Sequence, residues 1–426
     1  MPRASRGRMA VHLVAAVAGC LVGLVGGGFR WCLARAAELR GSLVEASEQL
    51  GAFGPLVPAV LTATGAAVAC AIALRVPLAA GSGIQDVEAV WRGERSPRPP
   101  RLLPAKFVGG LIAIGSGLVL GREGPTVHMG AAIGAEAGRR TRRDESDVRL
   151  LHTALAGAGL AVAFTAPLGG VLFVCEEVTK SVRGRLVLVT LIGTVTAVGC
   201  SRLVVGDRLD FRVPDLPVPP LALLPAFLLF GAATGVLGAA YNRLIIGLLD
   251  LCDHVTRVGP VARAAAIGAV VGLLLGIDPE LAGGGDRLSG RLLSGDIPVV
   301  PVLAGYLAVR FLAGPLSYAA RTPGGLFAPL LAVGALWGVL VHALAQSLLP
   351  GAGSGAVPFA IVGMAALFAS VVRAPVTGIV LVVEMTGATS LLLPLMTACF
   401  AATLTADRLG STPIYDSLRL RTVWHH

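Results

Sequence analysis

Apolar and polar positions in this chain are separated over long distances. Uncharged, mostly apolar runs cover residues 50–74, 153–175, 186–201, 216–242, 323–350 and 385–406. A helix needs about 20 apolar residues to cross the hydrocarbon of a bilayer, and several of these runs are that long. Backbone N–H and C=O groups cannot stay unpaired in lipid, so only helices or closed barrels span it. Barrel strands would alternate apolar and polar residues, and these runs do not. The pattern predicts an all-α, polytopic integral membrane protein in contact with membrane lipid.

Composition agrees with the pattern. Hydrophobic residues make up 55% of the chain and charged residues 14%, against about 25% charged in soluble domains. The 56 glycines fit the same reading, since Gly is commoner in transmembrane helices than in soluble ones. The net charge of +10 is clustered: Arg3, Arg6 and Arg8; then Arg92, Arg95, Arg98 and Arg101; then Arg139, Arg140, Arg142 and Arg143; and late in the chain Arg419 and Arg421. By the positive-inside rule these segments face the cytoplasm of a multi-pass cell-membrane protein. The basic balance thus reports topology, and no nucleic acid partner is expected. The basic start and apolar run lack a clear small-residue cleavage site, so they read as the first retained helix. Seven cysteines are scattered without a Cys-x-x-Cys, which predicts small buried apolar side chains and neither a disulfide framework nor a metal site; no cofactor is expected.

Two segments resemble each other 208 residues apart. Ala166-Pro-Leu-Gly-Gly-Val-Leu-Phe-Val-Cys-Glu-Glu177 and Ala374-Pro-Val-Thr-Gly-Ile-Val-Leu-Val-Val-Glu-Met385 share five identities, among them Glu176 with Glu384. A weaker correspondence joins Gly121-Arg-Glu-Gly-Pro125 to the Gly-rich break between Gly324 and Pro329. Paired halves with interrupted helices at matching positions are a transporter signature, with the substrate site near the broken ends. The halves are expected over 10–205 and 216–410 of a single transmembrane domain (1–426), joined by the Pro-rich residues 213–220.

The break at 121–125 lies between two basic loops. If both are cytoplasmic, the chain goes in and returns in legs of about 15 to 20 residues, roughly 22–30 Å at 1.5 Å per residue. Arg122 and Glu123 then sit deep, where an ionisable residue is costly and suggests function. Pro125 suits the first turn of a helix, expected from about Gly124 toward Gly138. Its amides make an anion site. A carboxylate there is a tethered competitor for a free anion, and its protonation vacates the site. The alternative is a structural ion pair with Arg122.

Other breaks carry candidates. Ser82, in Gly81-Ser-Gly-Ile-Gln85, fits either a helix N-cap or an anion ligand. The amides of Leu326 and Phe327 follow Gly324 and Gly325. Tyr415 brings a hydroxyl to an apolar position, as a ligand or as an interfacial belt tyrosine. Glu176 and Glu177 end an apolar run, where carboxylates oppose the helix dipole. Glu176 has its counterpart in Glu384, so a shared structural role is expected. Glu177 is matched by Met385, which leaves it as a candidate for proton delivery or as a solvated helix end.

Together these residues resemble the CLC family of chloride channels and transporters. Gly81–Gln85, Gly121–Pro125, the Gly325-Leu-Phe-Ala-Pro329 segment and the late Tyr415 resemble its four anion-pathway signatures, in order along essentially the whole chain. The resemblance implies an inverted-repeat helical fold and a homodimer with one pathway per subunit. It implies chloride held by the hydroxyls of Ser82 and Tyr415 and the amides of Leu326 and Phe327. An outer anion would meet Gly121, Arg122, Gly124 and Pro125. Glu123 matches the gating glutamate and Glu177 the internal proton glutamate, so the resemblance implies exchange of chloride for protons. The paired regulatory region that binds nucleotide in some members follows the membrane domain; none is expected here, the sequence ending at His426. One departure stands out: the first signature usually ends in Pro, and here it is Gln85. Ser82 is kept, which favours chloride over nitrate or fluoride.

The alternatives differ in chemistry. A passive chloride channel of the same fold would move no protons. An intramembrane serine protease would need Gly-x-Ser-Gly, yet Ala80, Ile114 and Ala352 stand two before Ser82, Ser116 and Ser354. A primary pump would need Gly-Lys-Ser/Thr, and the lysines, Lys106 and Lys180, follow Ala105 and Thr179. No enzymatic activity is expected.

Overall fold

A computed structural model describes residues 3–97, 101–207, 209–348 and 355–424, with backbone alone for 3–8, 348 and 422–424. Arg98, Ala352 and Ser354, and the side chains of Arg3, Arg6 and Arg8, lie outside the described residues.

The chain runs through α1 (Arg3–Glu48), α2 (Leu56–Arg75), α3 (Ile84–Trp91), α4 (Leu102–Gly115), α5 (Glu123–Arg140), α6 (Glu145–Phe164), α7 (Pro167–Phe173) and α8 (Gly184–Val205). A second series follows: α9 (Leu224–His254), α10 (Pro260–Ile277), α11 (Asp286–Leu293), α12 (Val300–Ala319), α13 (Phe327–Leu348), α14 (Ala356–Val372), α15 (Pro375–Thr386) and α16 (Leu392–Arg408). Helix α17 (Ile414–Trp424) closes the chain. Residues 211–220 connect the series without helix, as the prolines there dictate. Among the described residues nine helices are long and apolar enough to cross a membrane.

The two series match in detail. Helices α3 and α11 are both 8 residues long, and each starts after a left-handed glycine, Gly83 (φ 87°) and Gly285 (φ 98°). Lipid gives apolar side chains no reason to leave it, so spanning helices associate through close packing of small residues. Gly130 and Gly134 of α5 lie on the carbonyls of Leu155 and Leu151 in α6, with no room for a Cβ. Gly334 and Gly338 of α13 lie likewise on the carbonyls of Gly363 and Phe359 in α14. Much of the glycine content is explained by such contacts.

The basic segments come together on one face. Arg139 donates to the Pro97 carbonyl, and Arg419 donates to Glu94 at 2.8 Å. This joins three of the clusters assigned to the cytoplasm. In the interior, the fully buried Arg310 donates to the carbonyls of Glu280 at 2.6 Å, Ala282 at 3.1 Å and Gly283 at 2.9 Å. A buried guanidinium is tolerated because these acceptors replace water.

Candidate anion site

Three of the glycine-rich breaks are stitched together by backbone bonds. Gly81 N–H donates to Thr322 O at 3.0 Å, and Gly324 N–H donates to Gly81 O at 3.1 Å. Gly121 and Gly325 exchange two bonds of 2.8 Å. The starts of α3, α5 and α13 thereby converge. Only glycine fits here: a Cβ on Gly121 or Gly325 would overlap the Glu123 carboxylate, and one on Gly124 would lie 2.7 Å from Ser82 Oγ.

Glu123 is the first residue of α5 and is fully buried. Its Oε1 accepts the N–H of Phe327, the first residue of α13, at 2.6 Å. Its Oε2 has no partner. The carboxylate therefore occupies a helix N-terminus, where partial positive charge and unpaired N–H groups favour an anion. Arg122 does not pair with it. That guanidinium donates to Ala163 O at 2.9 Å and lies 3.3 Å from Asp286 and 3.8 Å from Asp210. The alternative of an Arg122–Glu123 ion pair is thus not what forms.

Ser82 and Tyr415 are both fully buried, and neither hydroxyl has a hydrogen-bond partner. The N-cap position of α3 is Gly83, so Ser82 does not cap that helix. Tyr415, in the first turn of α17, lies beside the Ser82 hydroxyl, and its ring packs edge-on to Phe327 at 5.7 Å. A belt tyrosine would put its hydroxyl in water; this one is enclosed. The two hydroxyls lie against each other, and one can donate to the other, which leaves at least one O–H without an acceptor.

The glutamates of the repeat divide as their pairing implies. Residues 174–178 continue α7 as a π-turn. Glu176 reaches across to α15, accepting Val376 N–H at 3.1 Å, Thr377 N–H at 2.7 Å and the Thr377 hydroxyl at 2.8 Å. Glu384 reaches back to α7, accepting Leu168 N–H at 3.1 Å and Gly169 N–H at 2.7 Å. Each carboxylate closes the other helix's N-terminus, which outweighs its unfavourable place at the end of its own. Glu177 instead turns inward, is buried, and leaves Oε1 unpartnered. It lies against Glu88 of α3, also fully buried, and near Lys180. It is not a solvated helix end.

Several residues at the site had no distinctive sequence signal. Glu88 reads as one acid in a short polar stretch. Tyr318 ends an ordinary apolar helix, yet its hydroxyl accepts Ser82 N–H at 3.3 Å. Lys106 is fully buried and donates to Ala79 O at 3.0 Å and Gly81 O at 2.7 Å, fixing the turn before Ser82. A lone lysine within an apolar run was the available clue, since such a group needs acceptors.

The chain is similar to known proteins along nearly its whole length. The family described as voltage gated chloride channel matches residues 64–407. The H(+)/Cl(-) exchange transporter ClcA of Vibrio parahaemolyticus is 38% identical over 423 residues, 97% of this chain and 90% of that protein. The ClcA of Vibrio cholerae is 39% identical over 422 residues, with the same coverage. Among solved structures, a slow cyanobacterial Cl−/H+ antiporter superposes with a TM-score of 0.90 at 30% identity, covering 97% of both chains. A CLC-type fluoride/proton antiporter shares the fold, with a TM-score of 0.81 at 21% identity over 96% of this chain and 97% of that one. The chain is a multi-pass membrane protein of the voltage-gated chloride channel, or CLC, family.

Proposed function

We propose that the chain exchanges chloride for protons across the membrane, as a homodimer with a pathway in each subunit. Its two inverted halves would be 10–205 and 216–410. The observation that carries the reading is the 2.6 Å bond from Phe327 N–H to Glu123 Oε1. A carboxylate occupies a seat suited to a free anion, and the two cannot share it. Deprotonated, Glu123 holds the seat. Protonated, it loses its charge, the amides at the starts of α5 and α13 come free, and chloride takes its place. One side chain then links anion occupancy to proton binding. Ser82 and Tyr415 offer two hydroxyl donors to chloride at the centre, with the amides of Leu326 and Phe327. Gly121, Arg122, Gly124 and Pro125 frame the outer position.

Glu177 is the candidate for passing protons from the inner side. Its burial beside Glu88 favours proton exchange between two carboxyls over a structural role, since two adjacent buried carboxylates do not both stay charged. The names of the relatives support the same substrates.

Purified protein in liposomes tests the reading. A chloride gradient is imposed with the voltage held near zero, and external pH is followed. Chloride-driven proton movement against the proton gradient is expected. Rapid chloride flux without protons would make the chain a passive channel.

A further inference from the structure

On the flank of the molecule a trough of about 520 Å³ runs between α1 and α5. Ala18, Ala132 and Ile133 form its buried floor. Leu13, Val17 and Leu21 of α1 wall one side and are exposed. Leu103, near the start of α4, lies against the same space. Such walls offer water no partners, so in a membrane hydrocarbon fills the trough. From Leu13 to Leu21, and from Ala132 to Arg140, the lining covers eight steps of helix on each side, about 12 Å at 1.5 Å per residue. One leaflet of a bilayer holds about 15 Å of hydrocarbon. The trough therefore fits the depth of one leaflet.

One end of the trough is polar. Glu136, Arg140 and Thr141 stand there, in and just after the last turns of α5. Arg139 beside them donates to the Pro97 carbonyl, which places this end on the basic, cytoplasmic face. Glu136 accepts from Arg140 Nε at 2.8 Å. A guanidinium carries five N–H donors in a planar fork that matches phosphate. The bond to Glu136 uses one of them. Among the described residues no hydrogen bond occupies the two terminal nitrogens of Arg140. Residues 136–144 carry Arg139, Arg140, Arg142 and Arg143 against Glu136 and Asp144, four positive charges against two negative. In sequence α1 begins with Arg3, Arg6 and Arg8, so both helices bring basic residues to this end. An apolar slot with a positive mouth at the cytoplasmic surface suits an anionic lipid, since basic pockets between spanning helices bind such headgroups.

We propose that the trough between α1 and α5 binds an anionic phospholipid of the cytoplasmic leaflet, with one acyl chain against Val17, Ala18 and Ile133 and the phosphate on the Arg140 guanidinium. The site is separate from the anion pathway and does not depend on which ions the chain carries.

The test uses the full chain purified in detergent, with native mass spectrometry to count retained lipids. Phosphatidylglycerol and phosphatidylcholine of identical acyl chains are added in competition. Wild-type protein is expected to retain phosphatidylglycerol severalfold better. Arg140→Gln should cut that preference about fivefold, the effect of one charge near a membrane surface. Val17→Trp should fill the trough and reduce retention of phosphatidylglycerol without touching a charge. Leu21→Trp replaces it if that variant does not express. Equal retention of the two lipids by wild type would overturn the anionic site. A preference unchanged in Arg140→Gln would remove the headgroup seat, and full retention in the tryptophan variant would remove the acyl slot. Displacement of the lipid by free glycerol phosphate at equal concentration would also overturn the proposal, because the headgroup alone would then suffice. A tryptophan variant that keeps its lipid but loses its oligomeric state would assign the trough to a second copy of the chain instead.

Discussion

Glu123 and Phe327 are each the first residue of a helix, α5 and α13, and they are bonded to each other. The carboxylate on α5 fills the N-terminus of α13. The seat is tightly bounded. Gly325, two residues before Phe327, has no space for a Cβ beside the Glu123 carboxylate. Glu123→Gln is expected to reduce coupled proton flux to the background of protein-free liposomes while chloride still moves.

Gly325→Ala should resemble Glu123→Gln although it changes no titratable group. Its methyl would displace the carboxylate from Phe327 N–H. Liposome flux should show chloride movement with proton coupling reduced severalfold. Full coupling in this variant would mean that the carboxylate works from elsewhere.

Glu177→Gln removes the inner acid and keeps its shape. Proton flux should vanish and chloride flux persist. Retained proton flux would leave Glu177 as a structural neighbour of Glu88.

The exchanged glutamates make a stability prediction. Bonds to a charged acceptor contribute about 1.5–3 kcal/mol, so Glu176→Ala should destabilise the protein by about 2–3 kcal/mol. Glu384→Ala should cost less, because Gly169 offers no hydroxyl where Thr377 donates one at 2.8 Å. Thermal melts in detergent check the order.

Asp144 lies outside the spanning segments and caps α6. It accepts Asp147 N–H at 2.7 Å and the Ser146 hydroxyl at 2.9 Å. These bonds, the backbone one foremost, hold its carboxyl below the usual range. The stabilisation is therefore complete above the unfolded carboxyl value, about 3.9, and is lost as pH falls through the lower folded value. Asp144→Ala should cost about 1 kcal/mol at neutral pH. In melts at acid pH the gap to wild type should close.

The long apolar runs and the matched motifs carried most of the fold in plain view. The start of α5 was legible from Pro125, and the partnership of Glu176 and Glu384 from their shared register. Tyr318 and Glu88 were not legible. What makes them matter is contact across more than 80 residues with Ser82 or Glu177, and neither interrupts a periodicity or sits in a motif. Ser82 was half legible: its residue type suits a cap, but the left-handed Gly83 takes that position and leaves the hydroxyl free.

The crossed closure of α7 and α15 also couples distant stretches of sequence. Neither helix finishes its own start; each borrows a carboxylate from the other. Sequence drift in one helix is then policed by the other, so a change at Glu176 is felt first at Val376 and Thr377, about 200 residues downstream.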